Sequence, residues 1–223
     1  LEVEGPEQQR RRQLLHDVDK DEERRRADSW PKQRKMHAPK SRCRRLAERD
    51  FSRRFAAFTL DDGYRDNLEN AYPIFRRNNV PFAIYVPTAY ADGKGHLWWL
   101  SLERAICILP RVEIRMNGEL QSFKCETIAQ KESTYHRLYW WLRGIDEREA
   151  RGIIHQLAAS CGIDEDKMCR DLIMNWDEIR KLAADPLVTI GAHTRGHFAV
   201  AKLSDAEARA EMASSIQRLE QEL

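Results

Sequence analysis

The chain has 223 residues, enough for one sizeable hydrophobic core, or for one domain with an arm, and too few for two full domains. Its 38 Lys and Arg are nearly balanced by 36 Asp and Glu, a formal net charge of +2, so no overall field draws it to nucleic acid. No window approaches the roughly 18–20 apolar residues of a membrane span, and the N-terminus lacks the apolar core of a signal peptide; no membrane partner is expected, and the cytoplasm is the default location.

Residues 1–50 alternate blocks of both signs, as in "QQRRRQLL", "DEERRRADSW" and "SRCRRLAERD", with few apolar residues. Such a composition does not offset the entropy of ordering, and it predicts a charged, disordered arm. The interleaved acids cancel much of the attraction that its arginines would exert on nucleic acid.

From Phe55 the pattern changes to that of an alternating α/β protein. "FAAFTL" reads as a short buried strand. "RDNLENAYPIFRRNN" sets Leu68, Tyr72 and Phe75 at helical spacing, with Pro73 expected to kink the helix or break its register. "PFAIYVP" is a second buried strand. A strand, a helix and a strand in this order form a βαβ unit, which implies a parallel sheet or barrel.

The middle is irregular and reads as a helical and hairpin insertion over about residues 90–185. "HLWWLSLERAICIL" is helical, and "VEIRMNGELQSF" alternates on both sides of Asn117-Gly118, a hairpin signal. Residues 126–184 are mainly helical, with Gly144 and Pro186 as stops. "LVTIGAHT" returns to strand. The last segment, "SDAEARAEMASSIQRLEQEL", is a helix opened by Ser204 with Glu207 three places on, a capping box. Five cysteines, Cys43, Cys107, Cys125, Cys161 and Cys169, form no C-x-x-C pair and read as reduced, mostly packed thiols.

Two short stretches carry chemistry. In "FTLDDGYRDN", Asp61 and Asp62 stand together at a strand end, where like charges repel. Strand ends in α/β sheets are where side chains converge on a substrate, and Gly63 permits a sharp turn behind the pair. One carboxylate can hold a cation while the other takes a proton; alternatively, Asp61 caps the following helix and Asp62 faces water. In "GAHTRGH", His193 and His197 are four apart beyond another buried strand, a spacing that lets two imidazoles reach one cation. Two His and one Asp leave open coordination positions, as a catalytic zinc site requires.

"TLDDG" and "HTRGH", with the sequence flanking each, resemble the first two signature motifs of the polysaccharide deacetylases, the NodB-homology group of carbohydrate esterases. The resemblance covers about residues 54–223 and implies an incomplete (β/α) barrel, with residues 51–223 as a truncated domain of that type. It implies that Asp61 is the general base and that Asp62, His193 and His197 hold a divalent metal, zinc or alternatively cobalt. Thr194 matches the hydroxyl position of the motif, where a hydrogen bond should shape the His loop. The implied activity is metal-dependent hydrolysis of N-acetyl groups on chitin-like oligo- or polysaccharides, releasing acetate.

The later motifs of the family, including the segment supplying a general acid, have no counterpart in this sequence. The alternatives are therefore a fragment that binds metal or glycan without turnover, or a metallohydrolase acting on a non-glycan substrate. His136 and His155 sit in amphipathic helical stretches and read as packing or surface residues. Trp98, Trp99, Trp140 and Trp141 could stack on sugars, but their helical spacing favours packing.

Overall fold

The computed structural model describes residues 56–223, so the charged arm over residues 1–50 and Cys43 lie outside it. β1 (Thr59–Asp61) leads through a π-helical turn, Asn67–Ala71, into helix α1 (Tyr72–Arg77). Pro73 lies in the first turn of α1, and its missing N–H explains the change of register there. β2 (Phe82–Val86) follows, then the short α2 (Thr88–Ala91) and α3 (Trp98–Ile108).

β3 (Arg111–Met116) and β4 (Glu119–Lys124) pair antiparallel around Asn117 and Gly118, both at positive φ, 53° and 87°, as a tight two-residue hairpin turn demands. Helices α4 (Ile128–Gly144), α5 (Glu147–Ser160), α6 (Glu165–Leu172) and α7 (Trp176–Ala183) come next, then β5 (Val188–Ala192) and α8 (Asp205–Glu222). Each of α4 to α8 starts at a side-chain cap: Thr127, Asp146, Asp164, Asn175 and Ser204 accept backbone N–H bonds from the first turn. These caps divide the helical stretch over 126–184 into four, where Gly144 and Pro186 alone suggested fewer breaks.

The sheet that positions the site is parallel, in the order β1-β2-β5. β2 is central, and Phe82, Ile84 and Val86 are fully buried, which accounts for its continuous apolar run. Phe75 stacks on Phe82 at 4.5 Å, while Met174, Ile179, Leu182 and Leu219 join the same cluster. A second cluster unites α3, the hairpin, α4 and α5 through residues such as Leu102, Ile106, Val112, Leu138 and Ile154. The architecture is thus mixed α/β around a parallel sheet, and no closed sheet occurs among the described residues. None of their helices is long and apolar enough to cross a membrane. Cys125 and Cys169 are buried, Cys161 is half-buried and Cys107 exposed, all four as free thiols.

Candidate metal centre

β1 and β5 flank β2 on opposite sides, and all three run the same way, so Asp61, Asp62 and His193 emerge at one edge of the sheet. Parallel strands lie about 4.8 Å apart, so the outer two are about 10 Å apart and only side chains reaching over the end of β2 can meet. The backbone makes this possible on the β1 side. Asp62 and Gly63 both take left-handed conformations, φ 68° and 69°, and turn the chain over Val86. A Cβ on Gly63 would lie 3.3 Å from Val86 Cγ2. On the β5 side, the N–H of His193 continues the ladder by donating to the Val86 carbonyl at 3.1 Å.

Asp62 Oδ1 lies 3.1 Å from His197 Nε2 and 3.6 Å from His193 Nε2, and the two imidazole centroids are 5.0 Å apart. The side chains are partly enclosed, with 20% exposure for Asp62, 29% for His197 and 36% for His193. Asp62 Oδ1 is buried yet makes no hydrogen bond. Ligand atoms of all three residues lie within 4.8 Å of one another. An orphaned carboxylate oxygen facing two ring nitrogens is a poor hydrogen-bonding arrangement and a suitable donor set for a divalent cation. Asp61 is exposed at the end of β1 and stands outside this group of three. The helical turn that follows has Asp66 as its N-cap residue, without a side-chain cap bond, so Asp61 does not serve as that cap.

The spacing of His193 and His197 is realised on a curled loop. Thr194 and His197 are left-handed, φ 63° and 56°, and Thr194 Oγ1 accepts the His197 N–H at 3.1 Å, the hydrogen bond expected of that hydroxyl. From α8, Glu211 Oε2 accepts the N–H groups of Arg195 and Gly196 at 3.1 and 2.7 Å, and Ser215 Oγ donates to the Thr194 carbonyl at 2.7 Å. Tyr90 and Trp99 flank the His197 ring, with centroids 5.5 and 5.6 Å away. Burial pushes the Tyr64 phenol up to about 12 despite a hydrogen bond from Trp99, and the nearby Asp62 charge adds to the rise. Glu211, Tyr90 and Tyr64 carried no signal in the sequence, because each reaches the site from a separate element.

Beside the three residues opens a pocket of about 480 Å³, lined by Trp98, Trp99, Tyr135, Tyr139, His193 and His197 among others. Trp98 and Trp99 are half-buried, so they pack and face the pocket together; Trp141 packs against the second core cluster and Trp140 is exposed. His136 is exposed, and His155 is a largely exposed side chain whose Nδ1 lies 2.7 Å from Glu165.

A carboxylate and two imidazoles converging at the C-terminal edge of a parallel sheet, beside an aromatic-walled pocket, define an α/β protein with a candidate cation site. The sequence profile of the polysaccharide deacetylases matches residues 48–223, and the chain belongs to the polysaccharide deacetylase family. Among solved structures, it is similar to the deacetylase domain of BpsB from Bordetella bronchiseptica, with 13% identity and a TM-score of 0.35 over 84% of this chain. The match spans 65% of that domain's length. No curated protein sequence matches the chain.

Proposed function

We propose that the chain is a metal-dependent deacetylase that removes N-acetyl groups from chitin-like oligo- or polysaccharides and releases acetate. The observation that carries this reading is the buried, unbonded Asp62 Oδ1 facing His193 and His197 at the edge of the pocket. Asp62, His193 and His197 would hold a divalent cation, zinc or alternatively cobalt, and leave coordination positions open on the pocket side. When bound, such a cation supplies a positive charge that acidifies a water towards a pKa of about 7 and stabilises negative charge developing on the amide oxygen. Asp61, exposed at the same strand end, would accept the proton of the attacking water. Trp98, Trp99 and Tyr139 offer apolar ring surface against which a pyranose can lie. On this reading, the three parallel strands are an arc of an incomplete (β/α) barrel, residues 51–223 form the catalytic domain, and about 90–185 is an insertion that walls the pocket.

A second reading, binding without turnover, is favoured by one feature. Glu147, the carboxylate lining the pocket, is fully engaged by Arg151 and a backbone N–H, which leaves it poorly placed to protonate a leaving amine. Acetate release from N-acetylglucosamine oligomers, assayed with zinc or cobalt, separates the two. The expected result is metal-dependent release that falls at least about a hundredfold in Asp61→Asn, as loss of a general base predicts. Folded, metal-loaded protein that binds oligomers without releasing acetate would establish the second reading. Equal release from the parent and Asp61→Asn would remove Asp61 from the chemistry.

A further inference from the structure

The two imidazoles, His193 and His197, are not held alike. His193 sits at the end of β5, where the sheet ladder fixes it through Val86. His197 sits four residues out on a loop with two non-glycine residues in left-handed conformations. Such conformations are disfavoured for residues with a side chain and persist only where their surroundings over-determine them.

Helix α5 supplies much of that determination through one ion pair. Arg151 donates from Nη1 to the Gly196 carbonyl at 3.0 Å and from Nη2 to the His197 carbonyl at 2.9 Å. The same guanidinium donates to Glu147 Oε1 from Nη2 at 2.7 Å and from Nε at 3.2 Å. The other Glu147 oxygen, Oε2, accepts the Ala199 N–H at 2.7 Å. The Arg151 guanidinium carbon stands 3.8 Å from the Phe198 ring centroid. These side chains are only 10% and 11% exposed. An exposed pair at this helical spacing would contribute little to the helix and touch nothing else. This one is buried, spans residues 196–199, and grips both peptide carbonyls that bracket the backbone of His197.

We propose that Arg151 and Glu147 are positioning residues for the cation site: they fix the backbone of His197 and thereby the placing of its Nε2 opposite Asp62. The proposal rests on the reading of Asp62, His193 and His197 as a divalent-cation centre. It assigns α5, which contributes no ligand, control over the affinity of the site. Lysine cannot replace arginine in this role, because a single ammonium keeps the ion pair with Glu147 but lacks the planar fork that spans two carbonyls.

The test is titration of the whole metal-free chain with Co²⁺, read from its visible absorption, for the parent, Arg151→Lys and Glu147→Gln. Affinity is expressed per folded molecule from near-UV circular dichroism. The expected result is a ten- to hundredfold weaker dissociation constant in both variants, the range seen when groups that orient metal ligands are removed. The apo melting temperature of Arg151→Lys should fall by a few degrees, because two carbonyls lose a charged donor, and expressing affinity per folded molecule separates that loss from the loss of metal binding. Because the clamp acts through one imidazole, Arg151→Lys should cause no further loss in a His197→Ala background. Arg180→Ala, which breaks pairs with Asp177 and Glu222 away from the loop, serves as the control and should leave Co²⁺ affinity unchanged. Parent-like affinity in Arg151→Lys and Glu147→Gln would overturn the proposal, as would a loss that persists in full without His197. A folded parent that fails to bind Co²⁺ would instead overturn the cation centre itself.

Discussion

At the scale of single residues, the site depends on backbone conformations that side chains disfavour. Asp62 and Gly63 are consecutive left-handed residues, and Gly63 passes so close to Val86 that a methyl group would press on its side chain. Gly63→Ala should therefore cost about 1–2 kcal/mol from the left-handed conformation alone. Thermal melting would show this as a midpoint lower by several degrees, and an unchanged midpoint would mean that the turn relaxes without strain. The Asp-Asp-Gly run was legible as a strand-end turn because glycine after paired acids has few other uses. Which acid turns inward was not legible in the residue chemistry, since Asp61 and Asp62 are chemically identical; only the family resemblance assigned Asp62 to the cation, and the left-handed turn at Asp62 is what separates the two in space.

At the scale of elements, the helices between β2 and β5 are tied to the sheet by residues that repair helix ends. Arg65 is the main example. Its guanidinium donates to the carbonyls of Asp171, Arg170 and Ile173 at 2.7, 3.0 and 3.0 Å, where α6 leaves acceptors without helical partners, and pairs with Glu178 at 3.1 Å. Glu178 in turn closes the capping box of α7 with Asn175. Arg65→Ala should destabilise the chain by about 2 kcal/mol, the scale of hydrogen bonds to charged groups, and Asn175→Ala by about 1 kcal/mol. Urea unfolding with unchanged denaturant dependence would check both. A shift within error for Arg65→Ala would mean that water replaces the guanidinium at the end of α6.

At the scale of the molecule, carboxylates that join distant segments set the response to acid. Burial opposes the charge on Asp92, but hydrogen bonds from Arg218 and Trp176 outweigh it and hold its pKa below the usual value of 3.8. The Leu187 N–H, followed by the Tyr72 hydroxyl, lowers that of Asp185 from the same value. The Ser204 hydroxyl and N–H, followed by Arg148, hold Glu207 down at about 2 from 4.5. A depressed pKa in the folded chain favours folding at pH values above the unfolded-chain pKa. That contribution is lost as pH falls through the folded value. Stability should accordingly hold steady down to about pH 5 and then decline towards pH 2, most visibly in the urea midpoint. Asp92→Asn, which removes the group joining α8 to α7 and the end of α2, should flatten part of that decline.

The sequence by itself determined the strand-helix-strand order, the hairpin at Asn117-Gly118, the last helix with its Ser204 cap, and the nomination of Asp61, Asp62, His193 and His197. Each of these is written in local chemistry: apolar runs, turn residues, cap residues, and ligand types at strand ends. The break of helix at Pro73 was local too, although the π-turn that resolves it depends on how Leu68, Tyr72 and Phe75 pack on the sheet. The resemblance had grouped Asp62 with His193 and His197; only the tertiary structure supplied the geometry by which they meet, the exposure of Asp61 beside them, and the grip of α5 and α8 on the histidine loop. Those contacts join residues many positions apart, and Glu147 and Arg151, four apart in a helical stretch, carried no signal in the sequence. Their role follows from burial against a loop whose path is set by the parallel order of three strands.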